Sequence, residues 1–183
     1  MTSSQKRLIE SLGSRISKAK AIELSSEVAG DTTFSAEVID LLKTGNSKEV
    51  YNILWALRSL QPSELQRFKS LPQIILELFR KFPFEEGILR DGVGLLQILD
   101  ISEDFQGEVF DLCFGFLQDN SKPIAVKAFS MTVCYNLAKK HPELLKELEI
   151  QIKDLLLIQG HIFPAIFSRG NAILQRINRH LRR

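Results

Sequence analysis

The apolar residues of this chain repeat as two interleaved series of amphipathic helices. Within each helix they recur at positions i, i+3, i+4 and i+7, which places them on one face. The stripes of one series begin at Val38, Ile75, Val109 and Leu145, and those of the other begin at Val50, Ile88, Ile124 and Ile166. Successive members of either series are 34 to 42 positions apart. A shared period of this length is typical of stacked helical hairpins.

The segments between the helices carry turn and helix-start residues rather than strand patterns. Asn46 is followed three positions later by Glu49, a spacing that predicts a capping box at a helix start. Strict alternation of apolar and polar residues is rare. The sequence therefore predicts an all-α fold, a right-handed α-solenoid of about four helical hairpins. We expect one domain over 1–183, with an N-terminal capping helix in 1–30 and the repeats in 33–181.

Three helices of the second series have a small residue at the same position of the repeat, namely Gly92, Ala128 and Gly170. Glycine inside a helix costs up to about 1 kcal/mol relative to alanine. Close packing of a neighbouring helix against this position is the expected compensation.

Paired helices of this period, with Asp119 leading into Ile124 and Ala128, resemble HEAT or armadillo repeats over residues 33–181. The chain departs from the HEAT pattern at Ala125, where a basic residue is usual. The stretch 125–152 and the segment that begins at Phe167 also resemble short HEAT-like proteins of Bacteroidetes. Some of those are assigned to the adenylosuccinate lyases, but the Ser-Ser-x-Met-Pro-x-Lys-x-Asn motif of that much longer family is absent here.

The residue types that carry catalysis or metal binding do not occur at useful spacings. His141, His161 and His180 have no second ligand at i, i+4, and no HExxH, CxxC, GxxxxGK[ST] or GxSxG motif occurs. Cys113 and Cys134 lie in apolar stripes, where free cysteine behaves as a small apolar residue. We therefore expect no catalytic residue, no cofactor and no metal, and we interpret the chain as non-enzymatic.

Six residues are candidates for contacting a partner: Trp55, Arg58, Asp91, Lys127, Arg169 and Arg176. Trp55 is the sole tryptophan and has two interpretations, packing between helices or an exposed aromatic anchor. Arg58 is three residues further on and can share its face. Asp91, Lys127 and Arg169 each precede the small position of a repeat, so stacked repeats would align them as a charged row along one edge. Lys127 and Arg169 would then be neighbours facing one ligand.

Charge is distributed unevenly along the chain. The formal net charge is +2, yet residues 155–183 contain five arginines and no acidic residue, giving +5. A solvated terminal helix explains this, since cations are favoured near a helix C-terminus. A patch for nucleic acid or for an acidic partner is the alternative.

The leading functional prediction is a non-catalytic interaction or scaffold module that binds a protein or peptide along its inner helical face. The alternative is nucleic-acid binding through a basic concave or C-terminal patch, in the manner of HEAT-like DNA glycosylases. No apolar run approaches the roughly 20 residues that span a bilayer, so no membrane contact is expected. Two unpaired cysteines suit a reducing cytoplasm, and we expect a monomer or a weak homodimer.

Overall fold

The structure is a computed structural model that describes residues 2–182 and is all-α over that range. The helices are α1 (Ser3–Ser11), α2 (Lys18–Gly30), α3 (Thr32–Thr44), α4 (Ser47–Leu57), α5 (Pro62–Leu65), α6 (Leu71–Lys81), α7 (Glu86–Leu96), α8 (Glu103–Gln118), α9 (Ile124–Ala138), α10 (Pro142–Leu155) and α11 (Pro164–Leu181). A π-helical turn, Leu156–Gly160, extends α10. The predicted fold class is confirmed, and the two helix series correspond to α3, α6, α8, α10 and to α4, α7, α9, α11.

The chain divides into two units between Asp100 and Ile101. In the first unit α2, α4 and α7 pack side by side, and α3 and α6 pack against α4 and α7 respectively. In the second unit α9 packs beside α11, and α8 and α10 complete their hairpins. The prediction of a single domain and of a right-handed solenoid stays a prediction.

The core of each unit is built from the predicted stripes. Val38, Ile75, Val109 and Leu145, which begin the stripes of the first series, are all fully buried. The N-terminus of α4 has the predicted capping box. Asn46 Oδ1 accepts hydrogen bonds from the backbone of Lys48 and Glu49, and Glu49 Oε2 accepts one of 2.8 Å from the Asn46 backbone N–H. These local signals therefore determine where α4 begins and which faces the helices of the first series bury.

The small residues of the second series allow close helix packing within a hairpin. A Cβ added to Gly92 would lie 2.5 Å from Phe79 Cε1 of α6, and one added to Gly170 would lie 3.0 Å from Leu156 Cδ2. Both glycines therefore contact the first helix of their own hairpin at a separation that leaves little or no room for a side chain.

Residues 2–30 include two helices, α1 and α2, where we expected one capping helix. After α1 the chain turns, and Ser17 caps the start of α2 by accepting a hydrogen bond from the Lys20 backbone N–H. Asn52 of α4 holds this turn, because its Nδ2 donates to the carbonyl oxygens of Leu12 and Ser14 at 2.8 and 2.7 Å. A long-range contact of this kind has no local sequence signal.

Candidate functional site

The first unit has an aromatic–arginine cluster where α4 packs on α7, formed by Tyr51, Trp55, Arg58, Arg90 and Asp91. The rings of Tyr51 and Trp55 lie one helical turn apart and stack, with centroids 6.2 Å apart and planes at 23°. Both residues are half-buried. Each ring therefore has one packed side and one side that solvent reaches, as an amphipathic anchor requires.

Asp91 organises the cationic half of the cluster. Its side chain is only 1% exposed, and its Oδ1 accepts a 2.7 Å hydrogen bond from Arg58 Nη1. Arg90 donates to both oxygens of the same carboxylate, from Nε at 3.1 Å and from Nη2 at 3.0 Å. A buried carboxylate needs such compensation. The hydrogen bonds that Arg90 donates to Asp91 also raise the pKa of Arg90 above its ordinary value.

Two glycines on α7 make this packing possible. A Cβ on Gly87 would lie 2.7 Å from Cδ2 of the Tyr51 ring, and one on Gly94 would lie 2.9 Å from the guanidinium carbon of Arg58. The two glycines are seven residues apart on one helical face, and Asp91 lies between them on the same side. Arg90 also lies 6.0 Å from the Tyr51 ring centroid, within cation–π range.

Sequence reasoning identified Trp55, Arg58 and Asp91 but missed Tyr51 and Arg90. The seven-residue spacing of Gly87 and Gly94 around Asp91 is the signal that could have found them. It marks one face of α7 as the face on which another helix places large side chains.

Arg169 and Arg176 lie on α11 in the second unit and both contact α9. Arg169 Nη1 donates to Thr132 Oγ1 at 3.0 Å. The guanidinium carbon of Arg176 lies 4.2 Å from the ring centroid of Tyr135. Arg183, the last of the C-terminal arginines, lies outside the described residues.

The chain matches the family model of the HEAT repeat domain over residues 8–177, a range that includes the end of α1, all of α2–α10, the π-turn and most of α11. This chain belongs to the HEAT repeat family. No curated protein and no solved structure matches it.

The charged row predicted for this HEAT chain is not open to solvent at two of its three positions. Asp91 is buried against Arg58 and Arg90, and Lys127 is fully buried. The Nζ of Lys127 has no hydrogen-bond partner among residues 2–182. Burial lowers the pKa of Lys127, and the negative charge of Asp119 opposes that shift. Buried groups cannot touch a partner directly. Around Asp91, the groups that a partner can reach are therefore the side chains of Arg58 and Arg90.

The two cysteines of this HEAT chain are unpaired thiols in the core. Cys113 and Cys134 are fully buried, and burial raises the pKa of Cys113 to about 12. Over the described range, no group of three or more His, Cys, Asp or Glu side chains is placed to hold a metal ion. None of the helices described here is both long and apolar enough to cross a bilayer.

Proposed function

We propose that this HEAT chain is a non-catalytic interaction module that binds a partner protein through the aromatic–arginine cluster of α4 and α7. The observation that carries the proposal is the stacked Tyr51–Trp55 pair beside two arginines held by one buried carboxylate. Tryptophan, tyrosine and arginine are the residues that most often dominate binding energy at protein interfaces. HEAT arrays use stacked helices as extended binding surfaces.

The cluster has little conformational freedom left to lose on binding. Asp91 fixes Arg58 through one hydrogen bond and Arg90 through two, and the Tyr51 ring packs on Gly87. Ordering a flexible side chain at an interface costs about 0.5–1.5 kcal/mol. Because these side chains are ordered before binding, a partner gains more of the contact energy.

The exposed guanidinium groups and aromatic rings of the cluster indicate which kind of partner it can bind. The side chains of Arg58 and Arg90 remain 32% and 40% exposed, so a partner can reach both guanidinium groups. The neighbouring rings supply apolar area. We therefore infer a partner segment in which an apolar side chain covers the rings and an adjacent carboxylate accepts from the arginines.

Affinity capture from the native host tests this proposal. The bait is the full chain as wild type, Trp55→Ala or Arg90→Gln, with Phe84→Ala as the matched control, because Phe84 is an aromatic residue of the same unit that is 89% exposed. We expect the wild type and Phe84→Ala to recover one protein at equal yield. Trp55→Ala should weaken that complex by about 2 kcal/mol or more, with the circular dichroism spectrum unchanged.

Nucleic-acid binding is the second candidate, and the observation behind it is that Asp154 is the last acidic residue before five arginines. Phosphate contacts release counterions, so binding to nucleic acid falls steeply as salt rises. The capture is therefore repeated with nuclease and across a salt series. Recovery that survives both supports a protein partner, whereas recovery of nucleic acid that disappears with salt contradicts it.

We expect the module to act in the cytoplasm, since its two cysteines are unpaired and buried. We expect the chain itself to be a monomer or a weak homodimer. Neither expectation bears on which partner the cluster selects.

A further inference from the structure

The second unit has a depression of about 220 Å³ lined by Tyr135 of α9 and by Arg176, Arg179 and His180 of α11. It lies where the last turns of the two helices pack together. Three nitrogen-bearing side chains and one phenol therefore surround a volume that holds one small polar group with its water.

The cations around this depression lack the partners that arginines of the first unit have. Among residues 2–182, no carboxylate lies within 4.0 Å of the side-chain nitrogens of Arg176, Arg179 or His180. The last acidic residue in the sequence is Asp154, ahead of α11. Arg90, by contrast, is paired with Asp91. The depression is thus a site of positive charge that the described part of the chain does not neutralise.

Arg176 is held in place without a carboxylate. Its guanidinium carbon lies 4.2 Å from the Tyr135 ring centroid, and Tyr135 itself is buried. This cation–π contact holds the guanidinium against the ring without the use of a carboxylate. Arg179 makes a 3.3 Å hydrogen bond from Nε to the Gln175 carbonyl oxygen, so its two terminal nitrogens remain donors.

We propose that this depression, the α9–α11 pocket (Tyr135, Arg176, Arg179 and His180), binds a phosphate monoester. A phosphate monoester has close to two negative charges and three terminal oxygens, whereas a carboxylate has one charge and two oxygens. Two guanidinium forks offer more donors than a carboxylate can accept, and arginine forks match phosphate geometry. The proposal does not depend on the function proposed for the aromatic–arginine cluster.

The C-termini of α9 and α11 weaken the binding of an anion in the pocket, because each helix C-terminus carries about half a negative charge. Two full guanidinium charges at the same place exceed that effect. The same dipoles favour the cationic side chains, which helps to keep them at the pocket.

A phosphate monoester fits the pocket better than a nucleic-acid backbone does. Arg176, Arg179 and His180 of α11 line one depression beside Tyr135 of α9, whereas a backbone of phosphodiesters needs an extended series of contacts. Each phosphodiester also has only one charge to offset the two arginines. The monoester can belong to a phosphorylated side chain of a partner protein or to a small metabolite, and the experiment distinguishes these sources.

Nuclear magnetic resonance of the arginine Nε–Hε groups in the full chain tests the proposal. Inorganic phosphate is titrated first, followed by a phosphoserine peptide, the same peptide with glutamate, and a single-stranded oligonucleotide without a terminal phosphate. The variants are Arg176→Gln and Arg179→Gln. Arg182→Gln is the control, because it removes the same charge from an exposed residue outside the pocket. Arg179→Gln alters only an exposed side chain, so it guards against loss of folding in Arg176→Gln.

We expect inorganic phosphate to shift the Arg176 and Arg179 signals saturably, with a dissociation constant on the order of 1 mM. Either pocket variant should weaken binding roughly tenfold, the effect of losing a charge-assisted hydrogen bond, and Arg182→Gln should leave it unchanged. Tighter binding of the phosphoserine peptide than of phosphate indicates a partner protein, and equal binding indicates a small phosphate ester.

Three results would overturn the proposal. The first is a linear, unsaturated shift of every arginine signal, which is non-specific screening. The second is an equal loss of binding in Arg182→Gln and in the pocket variants. The third is preferential binding of the oligonucleotide or of the glutamate peptide, either of which assigns the pocket to a different ligand.

Discussion

At the scale of single residues, burial decides what a charged side chain does. Asp91 is a candidate contact residue by its position in the repeat, yet it is buried and its charge is used to hold Arg58 and Arg90. A shared position in the repeat indicates that residues occupy equivalent places along their helices. It does not indicate whether an aspartate points to solvent or into the packing between two helices.

Replacing Asp91 tests whether it holds the cluster together. Asp91→Asn keeps the shape but removes the charge between two guanidiniums. Breaking a buried ion pair costs about 3–5 kcal/mol. Because both arginines are about one-third exposed and can turn to water, we expect a loss of about 1–3 kcal/mol in the free energy of unfolding, measured by urea denaturation.

The matched control for that substitution is Asp111→Asn, which changes an exposed aspartate on α8. Its free energy of unfolding should change by no more than about 0.5 kcal/mol. Equal, small effects of both substitutions would show that Asp91 does not organise the cluster.

The candidate site was only partly predictable from the sequence, for a physical reason. Trp55 and Arg58 share a helix and a spacing of three residues, so local periodicity places them together. Arg90 and Tyr51 meet through the packing of α4 on α7, and Lys127 is buried by tertiary structure. The spacing of Gly87 and Gly94 marks the face of α7 on which this pairing occurs but does not name the side chains that pack there, and the burial of Lys127 has no local signal.

At the scale of helices, the repeat pattern was the most informative part of the sequence. The stripes, the capping box at Asn46 and the small residues at Gly92 and Gly170 all describe contacts within one hairpin. Contacts of that kind are fixed by periodicity and helix caps, which are local. The division of residues 1–30 into α1 and α2 depends instead on Asn52, about forty residues further on.

Because α7 packs closely against α6 at Gly92, a single methyl group added at that position should lower the free energy of unfolding. In Gly92→Ala the new Cβ would lie 2.5 Å from Phe79 Cε1 and 3.2 Å from Ile75 Cγ2, so a buried ring must move. Overpacking costs about 1–3 kcal/mol, which exceeds the gain of up to about 1 kcal/mol in helix propensity. We expect net destabilisation of about 1 kcal/mol in urea denaturation.

Gly115→Ala is the control for that experiment, because Gly115 is an exposed helical glycine and a Cβ added to it would have no neighbouring atom within 4 Å. It should stabilise the protein by about 0.5–1 kcal/mol. A stabilising effect of Gly92→Ala as well would contradict the tight packing of the hairpin.

The hydrogen bonds of Asp31 at the start of α3 should make the free energy of unfolding depend on pH. Asp31 Oδ1 accepts hydrogen bonds from the backbone of Thr33 and Phe34, and Gln5 donates to its Oδ2. The Phe34 hydrogen bond, followed by that of Gln5, lowers the pKa of Asp31 below 3.8. Its stabilising contribution is therefore complete above the unfolded pKa and is lost as pH falls through the folded pKa.

Asp31→Asn measures that contribution, because asparagine can still cap the helix but does not titrate. The difference in urea midpoint between wild type and variant should be constant above about pH 5 and should shrink below about pH 4. A difference that is the same at about pH 6 and at about pH 3 would show that the Asp31 carboxylate is not stabilised by folding.

At the scale of the whole molecule, the family match runs without interruption from residue 8 to residue 177, across both units. In repeat arrays each repeat is stabilised by its neighbours, so the array tends to unfold as one. Trp55 is the sole tryptophan and belongs to the first unit, so its fluorescence reports on that unit.

Urea unfolding followed by tryptophan fluorescence and by far-ultraviolet circular dichroism tests the prediction of a single domain. We expect coincident midpoints, because circular dichroism reports on all the helices and fluorescence on the first unit alone. Separated midpoints would show that the two units unfold as independent domains.

Site-specific photo-crosslinking tests whether the aromatic–arginine cluster is the surface that binds a partner protein. A photoreactive phenylalanine analogue is placed at Trp55, or at Phe84 as the exposed control, and the full chain is irradiated in lysate of the native host. We expect one protein to be crosslinked from position 55 but not from position 84, and nuclease should leave that product unchanged. Crosslinks to nucleic acid, or the same products from both positions, would contradict it.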